Sequence, residues 1–519
     1  MKSDAGKTDS IWTATADIPI GSPLTEETRT NVCIVGAGIA GLTTAYLLSR
    51  DGLAVTVLDD GVIAGGETGR TTAHLSFALD DRFQELERLH GERGSRLAAE
   101  SHRAAVDRIE QIVKEEEIDC EFSRLDGYLF LAPGEGRDDL EEELEAAHRA
   151  GLTDVKMIDK APIPGYDTGS ALLFPSQGQF HPVKYLDGLA RAILRNGGQI
   201  HTRSHVENVK GGENPYLKVK DGPKVHAHQI VVATNTPVND WVTIHTKQAP
   251  YRTYVIGILV PKGTVPTALY WDTQDPYHYV RLQSHSEKND VLIVGGEDHK
   301  TGQAHDTDAR FDRLEAWARQ VFPHLGLVEY RWSGQVMEPV DGLAFIGHNP
   351  GDENVYIATG DSGHGMTHGT IAGMLISDLI QSRDNEWAKL YDPARRTLRA
   401  AGEFAKENLN VARQYVDLVT AGDVNDEDEI PRGSGAIVRR GLEKIAIYKD
   451  ETGLTHEFSA ICPHLGCVVD WNDTEKSWDC PCHGSRFSAL GKVVNGPANV
   501  DLSPAEQEDT IDTLPVVQG

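Results

Sequence analysis

The stretch Asn31-Val-Cys-Ile-Val-Gly36-Ala-Gly38-Ile-Ala-Gly41-Leu-Thr-Thr-Ala45 decides how most of the chain is read. A short apolar run leads into Gly-x-Gly-x-x-Gly, and the residues that follow put Leu42, Ala45 and Leu48 on one helical face. A second run, Val55-Thr-Val-Leu58, ends in Asp59, 23 residues after Gly36. Strand, glycine turn, helix, strand and terminal acid form the pattern of a dinucleotide-binding β-α-β unit. Gly36 makes the tight turn, Gly38 lets the backbone approach a pyrophosphate, and Gly41 lets helix and strand pack closely. The helix N-terminus, with Ile39 and Ala40, offers amide hydrogens and the positive end of its dipole. Asp59, followed by Asp60, is placed to accept from a ribose hydroxyl. Asn31 to Ser49 carries no charge, as a membrane span would, but the glycine spacing explains the stretch as a turn and helix.

Outward from this unit, helical patterns are expected over Arg82–Glu117, Asp138–Ala150, Asp308–Val321, Thr367–Ile380 and Pro393–Val419. Alternating runs at Tyr216–Lys220, Tyr251–Val260 and Val291–Val294 predict sheet in the middle of the chain. The spacing of Phe404, Val411, Tyr415 and Leu418 predicts a helix packed on the first domain. Residues 1–30 read as a loose leader. Residues 421–434 combine an acidic run with Pro431 and Gly433 and read as a linker. Short strands and turns follow it.

That last region holds Cys462-Pro-His464-Leu-Gly-Cys467 and Cys480-Pro-Cys482-His483-Gly-Ser485. Four of the chain's six cysteines lie there. Each loop supplies one Cys and one His as ligands: Cys462 and His464, then Cys480 and His483. Two thiolates for one iron and two imidazoles for the other make the ligand set of a Rieske [2Fe–2S] cluster. Zinc also takes Cys₂His₂, but the spacing is not that of a finger.

The region from about Gly435 to Ser503 resembles the Rieske family, including its proline loop, Gly491-Lys-Val-Val-Asn-Gly496-Pro497-Ala498. The resemblance implies a disulfide between Cys467 and Cys482, and a hydrogen bond from Ser485 to a bridging sulfide. A tyrosine that bonds a ligand sulfur in high-potential members is replaced by Phe487, which implies a potential below the top of the range.

After Asp59 comes Gly65-Gly66-Glu-Thr68-Gly-Arg70-Thr71-Thr72-Ala-His74, which offers amides, hydroxyls and a guanidinium to a diphosphate. It is similar to the second FAD contact of the D-amino-acid-oxidase and glycine-oxidase-like family. Val206, Ala233 and Thr234, Gly334, and the loop Gly360-Asp-Ser-Gly363-His364-Gly365-Met366-Thr367 match further cofactor segments of that family. The resemblance covers about Asn31–Arg396 and implies FAD, and since neither Cys33 in the first strand nor Cys120 after a helix matches a covalent flavin site, the FAD is expected to be noncovalent. There is no second Gly-x-Gly-x-x-Gly, so no nicotinamide domain is expected. His364, His368 and Asp361 also have the residue types of a facial iron site, but the glycines fit a flavin loop better.

Family members oxidise C–N bonds by hydride transfer to the flavin, and the protein positions the substrate. Arg252, Tyr254, Tyr279 and Arg281 lie on expected strands of the substrate half, where an arginine can hold a carboxylate bidentately. With His364 facing the flavin, the catalytic candidates are His364, Arg252 and Tyr254.

The fold class expected is α/β plus all-β. A Rossmann-like FAD-binding oxidoreductase spans 31–420, with an interleaved mixed-sheet substrate subdomain at about 100–160 and 240–335. A small all-β Rieske domain follows at 435–519. The function expected is a dehydrogenase of an amine or amino-acid-like substrate that passes electrons singly through the cluster to an external acceptor. The alternatives are an electron-transfer component for a partner enzyme, and a redox sensor or binding module. A formal net charge of −29 argues against nucleic-acid and anionic-lipid partners. The N-terminus has no signal-like apolar region, and no transmembrane segment is expected, so the reading is cytoplasmic.

Overall fold

The computed structural model describes residues 5–16, 18, 21–239 and 244–505. The glycine motif sits at the centre of an eight-stranded sheet. Its strand, Thr28–Val35, lies between the parallel strands Lys224–Val232 and Val55–Leu58, and Val355–Thr359 and Gln199–His201 extend the sheet on either side. Residues 32–35 and Val55–Leu58 are buried on both faces: Val32, Ile34, Val55 and Val57 pack under the helices, and Cys33, Val35 and Leu58 pack against Val206, Leu217 and Val219. The helix Ile39–Arg50 packs against Gly365–Ile380, where a Cβ on Gly369 or Gly373 would lie 2.6 Å from Ile39 and 2.5 Å from Thr43. The charge-free stretch is therefore a strand, a turn and a 12-residue helix. Among the described residues no helix is long and apolar enough to cross a membrane.

A second, nine-stranded sheet carries the substrate half. Its long strands Gln248–Pro261, Asn289–Lys300 and Val328–Pro339 pair antiparallel, and Ser123–Phe130 and Ala171–Gln179 come from the other side of the chain. One hydrophobic core fills the space between the two sheets and a second lies behind the substrate sheet under helix Thr307–Val321. The helix Phe83–Glu115 is interrupted at Gly91, whose φ of +74° breaks the helical path.

The C-terminal domain has two small sheets. Ser434–Arg440, Glu443–Lys449 and Thr455–Ser459 form one, and four three-residue strands between Asp470 and Asn495 form the other. Residues 421–434 differ from the linker expected. Asp423 N donates to Ile437 O at 2.7 Å, Val424 bridges to Val438, and Ile430 is buried in this domain's core. The helical run expected at Pro393–Val419 is shorter, with its main helix at Ala401–Gln414. Only Glu407 of that helix is buried. Val411 and Tyr415 face the small domain rather than the first, and Tyr415 OH donates to Leu465 O at 2.7 Å.

The N-terminal segment is not a loose leader. Among its described residues, Lys7 N donates to Glu475 O, Trp12 Nε1 to Thr71 O, and Ser10 Oγ to Gly69 O. It crosses from one domain to the other and fixes both.

Candidate functional site

A cavity of about 300 Å³ opens at the glycine turn. Gly36 has φ +105°, and a Cβ there would lie 2.4 Å from Ala233 O. A Cβ on Gly41 would lie 1.9 Å from Gly36 O, so Gly41 serves packing and does not line the cavity. Gly38 is the N-cap of the helix and has no side chain to occupy its amides. A Cβ there would meet Thr68 Oγ1 at 3.1 Å, which would fill the cradle. Asp59 accepts from Ala37 N at 2.6 Å and from Gly61 N at 2.9 Å. It holds the turn while facing the cavity, and each carboxylate oxygen has a second lone pair for a hydroxyl. These features fit a dinucleotide.

Of the residues expected to contact the cofactor, Gly36, Gly38, Ile39, Ala40, Asp59, Asp60, Gly66, Thr68, Arg70, Thr71, Thr72, Val206, Ala233, Thr234, Gly334, Gly363, His364, Gly365 and Met366 line this cavity. Thr367 does not; its hydroxyl bonds His102 Nδ1 at 2.8 Å in the core. Arg70 touches the cavity, but its guanidinium turns away from it. Nη1 donates to Ser333 O at 2.7 Å and pairs with Glu475 at 2.9 Å.

Arg252 and Tyr254 do not line the cavity, which corrects their reading as catalytic candidates. Arg252 is fully buried, donates to Ser333 Oγ at 2.8 Å, and has Glu475 Oε1 at 3.4 Å. Tyr254 points to the other face of its sheet and bonds His299 Nε2 at 2.9 Å. Arg281 is likewise structural: it donates to Ala73 O and Phe180 O at 2.9 and 3.0 Å.

Arg70, Arg252 and Glu475 belong to a charged cluster buried between the domains. Thr8 Oγ1 donates to Glu475 Oε1 at 2.6 Å. Arg486 pairs with Asp479 at 3.0 Å and reaches Ala5 O with its other arm. Burial alone would raise the Glu475 carboxyl, but Arg70, Arg252 and Arg486 outweigh it and hold it well below the usual carboxylate range.

Local pattern gave no sign of Asp80, Tyr277 or Asp298, which join the expected Tyr279 and His364 in the cavity wall. Tyr277 OH donates to Asp80 Oδ2 at 2.6 Å, and Tyr279 OH shares a hydrogen bond with Thr253 Oγ1. Asp298 is pushed up to about 7, chiefly by burial, and its Oδ1 is buried without a hydrogen-bond partner. His364 Nε2 accepts from Asp80 N at 3.0 Å and lies 3.3 Å from Asp80 Oδ1. Burial opposes the His364 charge, but the carboxylates of Asp80, Asp81 and Asp361 outweigh it and raise this imidazole. His364 and His368 diverge. His368 Nδ1 donates to Asp361 O at 2.8 Å and its Nε2 faces His102, so the loop does not form a facial iron site.

In the small domain Cys462, His464, Cys480 and His483 are buried on two facing loops, and the two imidazole centroids are 5.1 Å apart. His483 Nδ1 is buried without a hydrogen-bond partner, the condition a metal ligand relieves. Cys467 and Cys482 are joined by a disulfide with Cα atoms 6.5 Å apart. Ser485 Oγ accepts from Ala498 N of the proline loop at 3.0 Å, and its hydroxyl bonds the Cys462 sulfur. Phe487 is fully buried and supplies no donor. The donor set and its burial fit a [2Fe–2S] cluster.

The two sites adjoin. The His245 ring lies 5.0 Å from His464 and 6.1 Å from His483, centre to centre. Gln335 lines the cavity and donates from Nε2 to Gly484 O at 2.9 Å, next to His483. Val493, Asn495, Gly496, Ala498 and Asn499 of the small domain form one wall of the cavity. Asn499 Nδ2 donates to Val206 O at 2.9 Å, and Asn495 Nδ2 to Glu67 at 3.1 Å.

A dinucleotide cradle joined to an antiparallel substrate sheet, with a two-cysteine, two-histidine domain seated on it, defines a flavoprotein oxidoreductase carrying an iron–sulfur module. Residues 31–379 match the family FAD dependent oxidoreductase, and residues 421–511 match the Rieske [2Fe-2S] domain. The chain belongs to the FAD dependent oxidoreductase family and carries a C-terminal Rieske domain, so its cofactors are FAD and a [2Fe–2S] cluster.

The Rieske 2Fe-2S iron-sulfur protein YhfW of Bacillus subtilis (strain 168) is 32% identical over 506 residues, covering 96% of this chain and 97% of that one. Gamma-glutamylputrescine oxidoreductase of Escherichia coli (strain K12) is 28% identical over 401 residues, covering 72% of this chain and 91% of that one. Glycine oxidase from Geobacillus kaustophilus has the same fold: TM-score 0.61, 16% identity, 71% of this chain and 99% of that one.

Proposed function

We propose that this oxidoreductase is a dehydrogenase that oxidises the C–N bond of an amine or amino-acid-like substrate and delivers the electrons singly through its Rieske cluster to an external acceptor. The observation that carries this reading is the seating of the histidine loops on the oxidoreductase body. Gln335 belongs to the cavity wall, and its side chain holds the carbonyl of Gly484 beside a cluster ligand.

Bound FAD supplies a two-electron hydride acceptor, and the cluster supplies a one-electron carrier. Gly38 and the helix behind it receive the pyrophosphate, and Asp59 receives the ribose. Gly363, His364 and Gly365 line the cavity and would border the flavin end, where their backbone amides would stabilise negative charge on the reduced ring. His364 and Asp80 form a hydrogen-bonded pair at the cavity and move protons there. The wall from Val493 to Asn499 excludes water from the cofactor.

An anaerobic titration of the holoprotein tests the proposal. Amines and amino acids are added one at a time, flavin absorbance is followed, and the reduced cluster is read by electron paramagnetic resonance. Flavin bleaching followed by the cluster signal is the expected result. Bleaching by a protein donor or a nicotinamide alone would assign the chain to electron transfer for a partner.

A further inference from the structure

The residues lining the cavity include seven carboxylates, Asp59, Asp60, Glu67, Asp80, Asp298, Glu338 and Asp361, and a single arginine, Arg70. No lysine is among them. The guanidinium of Arg70 faces Glu475, Ser333 and Thr8. The other arginines of the substrate sheet near the cavity, Arg252 and Arg281, are engaged with Ser333 and with backbone carbonyls. His364 and His205 also line the cavity, but they face Asp80 and Asp60, so among the described residues no cation is left disposed to receive a substrate carboxylate.

It does have acceptors disposed to receive a cation. Asp298, on the strand Asn289–Lys300, has one carboxylate oxygen buried with no hydrogen-bond partner. Asp80, from the loop before the helix Phe83–Glu115, is held by Tyr277 and His364. The Tyr277 and Tyr279 rings, 5.3 Å apart, line the cavity beside these two acids, and aromatic rings also favour a cation. Thr253 bonds the Asp298 carboxylate but leaves this one oxygen unpaired, and a buried carboxylate oxygen without a partner is unfavourable unless the group is protonated or meets a cation.

We infer that the substrate end of the cavity takes an organic cation, an alkylamine without an α-carboxylate, whose ammonium is held by Asp298 and Asp80 between the two tyrosines. This deepens the proposed function and rests on it for the reaction, though not for the binding. In the reaction a C–H and an N–H bond of the amine break and a C=N bond forms. Two electrons and one proton leave carbon as hydride to FAD, and the second proton passes to water. Hydrolysis of the imine then gives a carbonyl compound and ammonia. The electrons leave by way of the cluster to the one-electron acceptor.

The holoprotein is tested in two ways. Isothermal titration calorimetry measures binding of tert-butylammonium, which has no α-hydrogen and cannot be oxidised. Anaerobic stopped-flow compares 1,4-diaminobutane and n-butylamine with glycine and L-proline. We expect tert-butylammonium to bind and acetate to bind at least 10-fold more weakly. We expect Asp298→Asn and Asp80→Asn each to weaken the cation by about 10- to 100-fold, as loss of a charge-assisted hydrogen bond implies. FAD absorbance and the cluster spectrum of each variant establish that it has folded.

Reduction by the amines and not by the amino acids supports the inference. Faster reduction by glycine or L-proline overturns it while leaving the dehydrogenase reading intact. If no compound reduces the flavin, the dehydrogenase reading fails, and calorimetry still decides the cation site. Unchanged cation binding in both variants overturns it outright.

Discussion

The two cofactor sites of this protein are built in opposite ways. The cluster site is compact in sequence: its ligands, its disulfide and Ser485 all lie between Cys462 and Ser485, and side chains do the binding. The FAD cavity draws on residues from Val35 to Asn499, and its cradle is mostly backbone, opened by glycines. A site made of a few reactive side chains survives changes elsewhere but not the loss of one member. A site made of backbone survives many side-chain changes but depends on the whole fold holding its segments together.

The largest effect that sharpens this contrast is expected of Cys462→Ser. It removes a thiolate ligand, so the [2Fe–2S] signal disappears from electron paramagnetic resonance while the flavin absorbance remains. The converse is Gly41→Val. Its Cβ would lie 1.9 Å from Gly36 O, so the variant is expected to purify with iron and without FAD, measured by metal and flavin content.

Glu475→Ala attacks what joins the two sites. It leaves Arg70 and Arg252 buried without their carboxylate and is expected to cost about 3–5 kcal/mol, read as a lower unfolding temperature. The same residue sets an acid limit. Its folded pKa lies below the unfolded value of about 4.3, so its contribution is complete above that pH. The contribution falls away as the pH drops toward the folded value. Thermal melts at pH 6 and pH 3.5 should differ more for the native chain than for Glu475→Gln.

The smallest effect belongs to Gln335→Leu. Both cofactors stay, and transfer from flavin to cluster in stopped-flow slows by a few-fold as the hydrogen bond to Gly484 is lost. An unchanged rate would remove Gln335 from the path.

The same contrast governs what could be read from sequence. Cys462, His464, Cys480 and His483 were legible because chemistry and spacing coincide in one short window. The glycine turn was legible because Asp59 and two strands frame it. Arg252 and Tyr254 were misassigned because a buried polar side chain on a strand looks alike in sequence whichever face it takes. What turns Arg70 and Arg252 away from the cavity is Glu475, a residue of another domain. Asp80, Tyr277 and Asp298 were missed for a related reason. They come from two loops and one strand with no shared local pattern, and only the closed fold brings them together.

The N-terminal segment bears on how the protein is made. Residues 5–12 leave the ribosome well over 400 residues before Glu475 and Arg486, which they bond. At about 5–20 residues per second, translation separates these partners by roughly half a minute to a minute and a half. During that interval the nascent oxidoreductase half lacks both its N-terminal tether to the small domain and the wall that Val493 to Asn499 give the cavity. The cavity is thus open on that side to an incoming dinucleotide while synthesis continues, and acquires this wall only when the small domain emerges and docks.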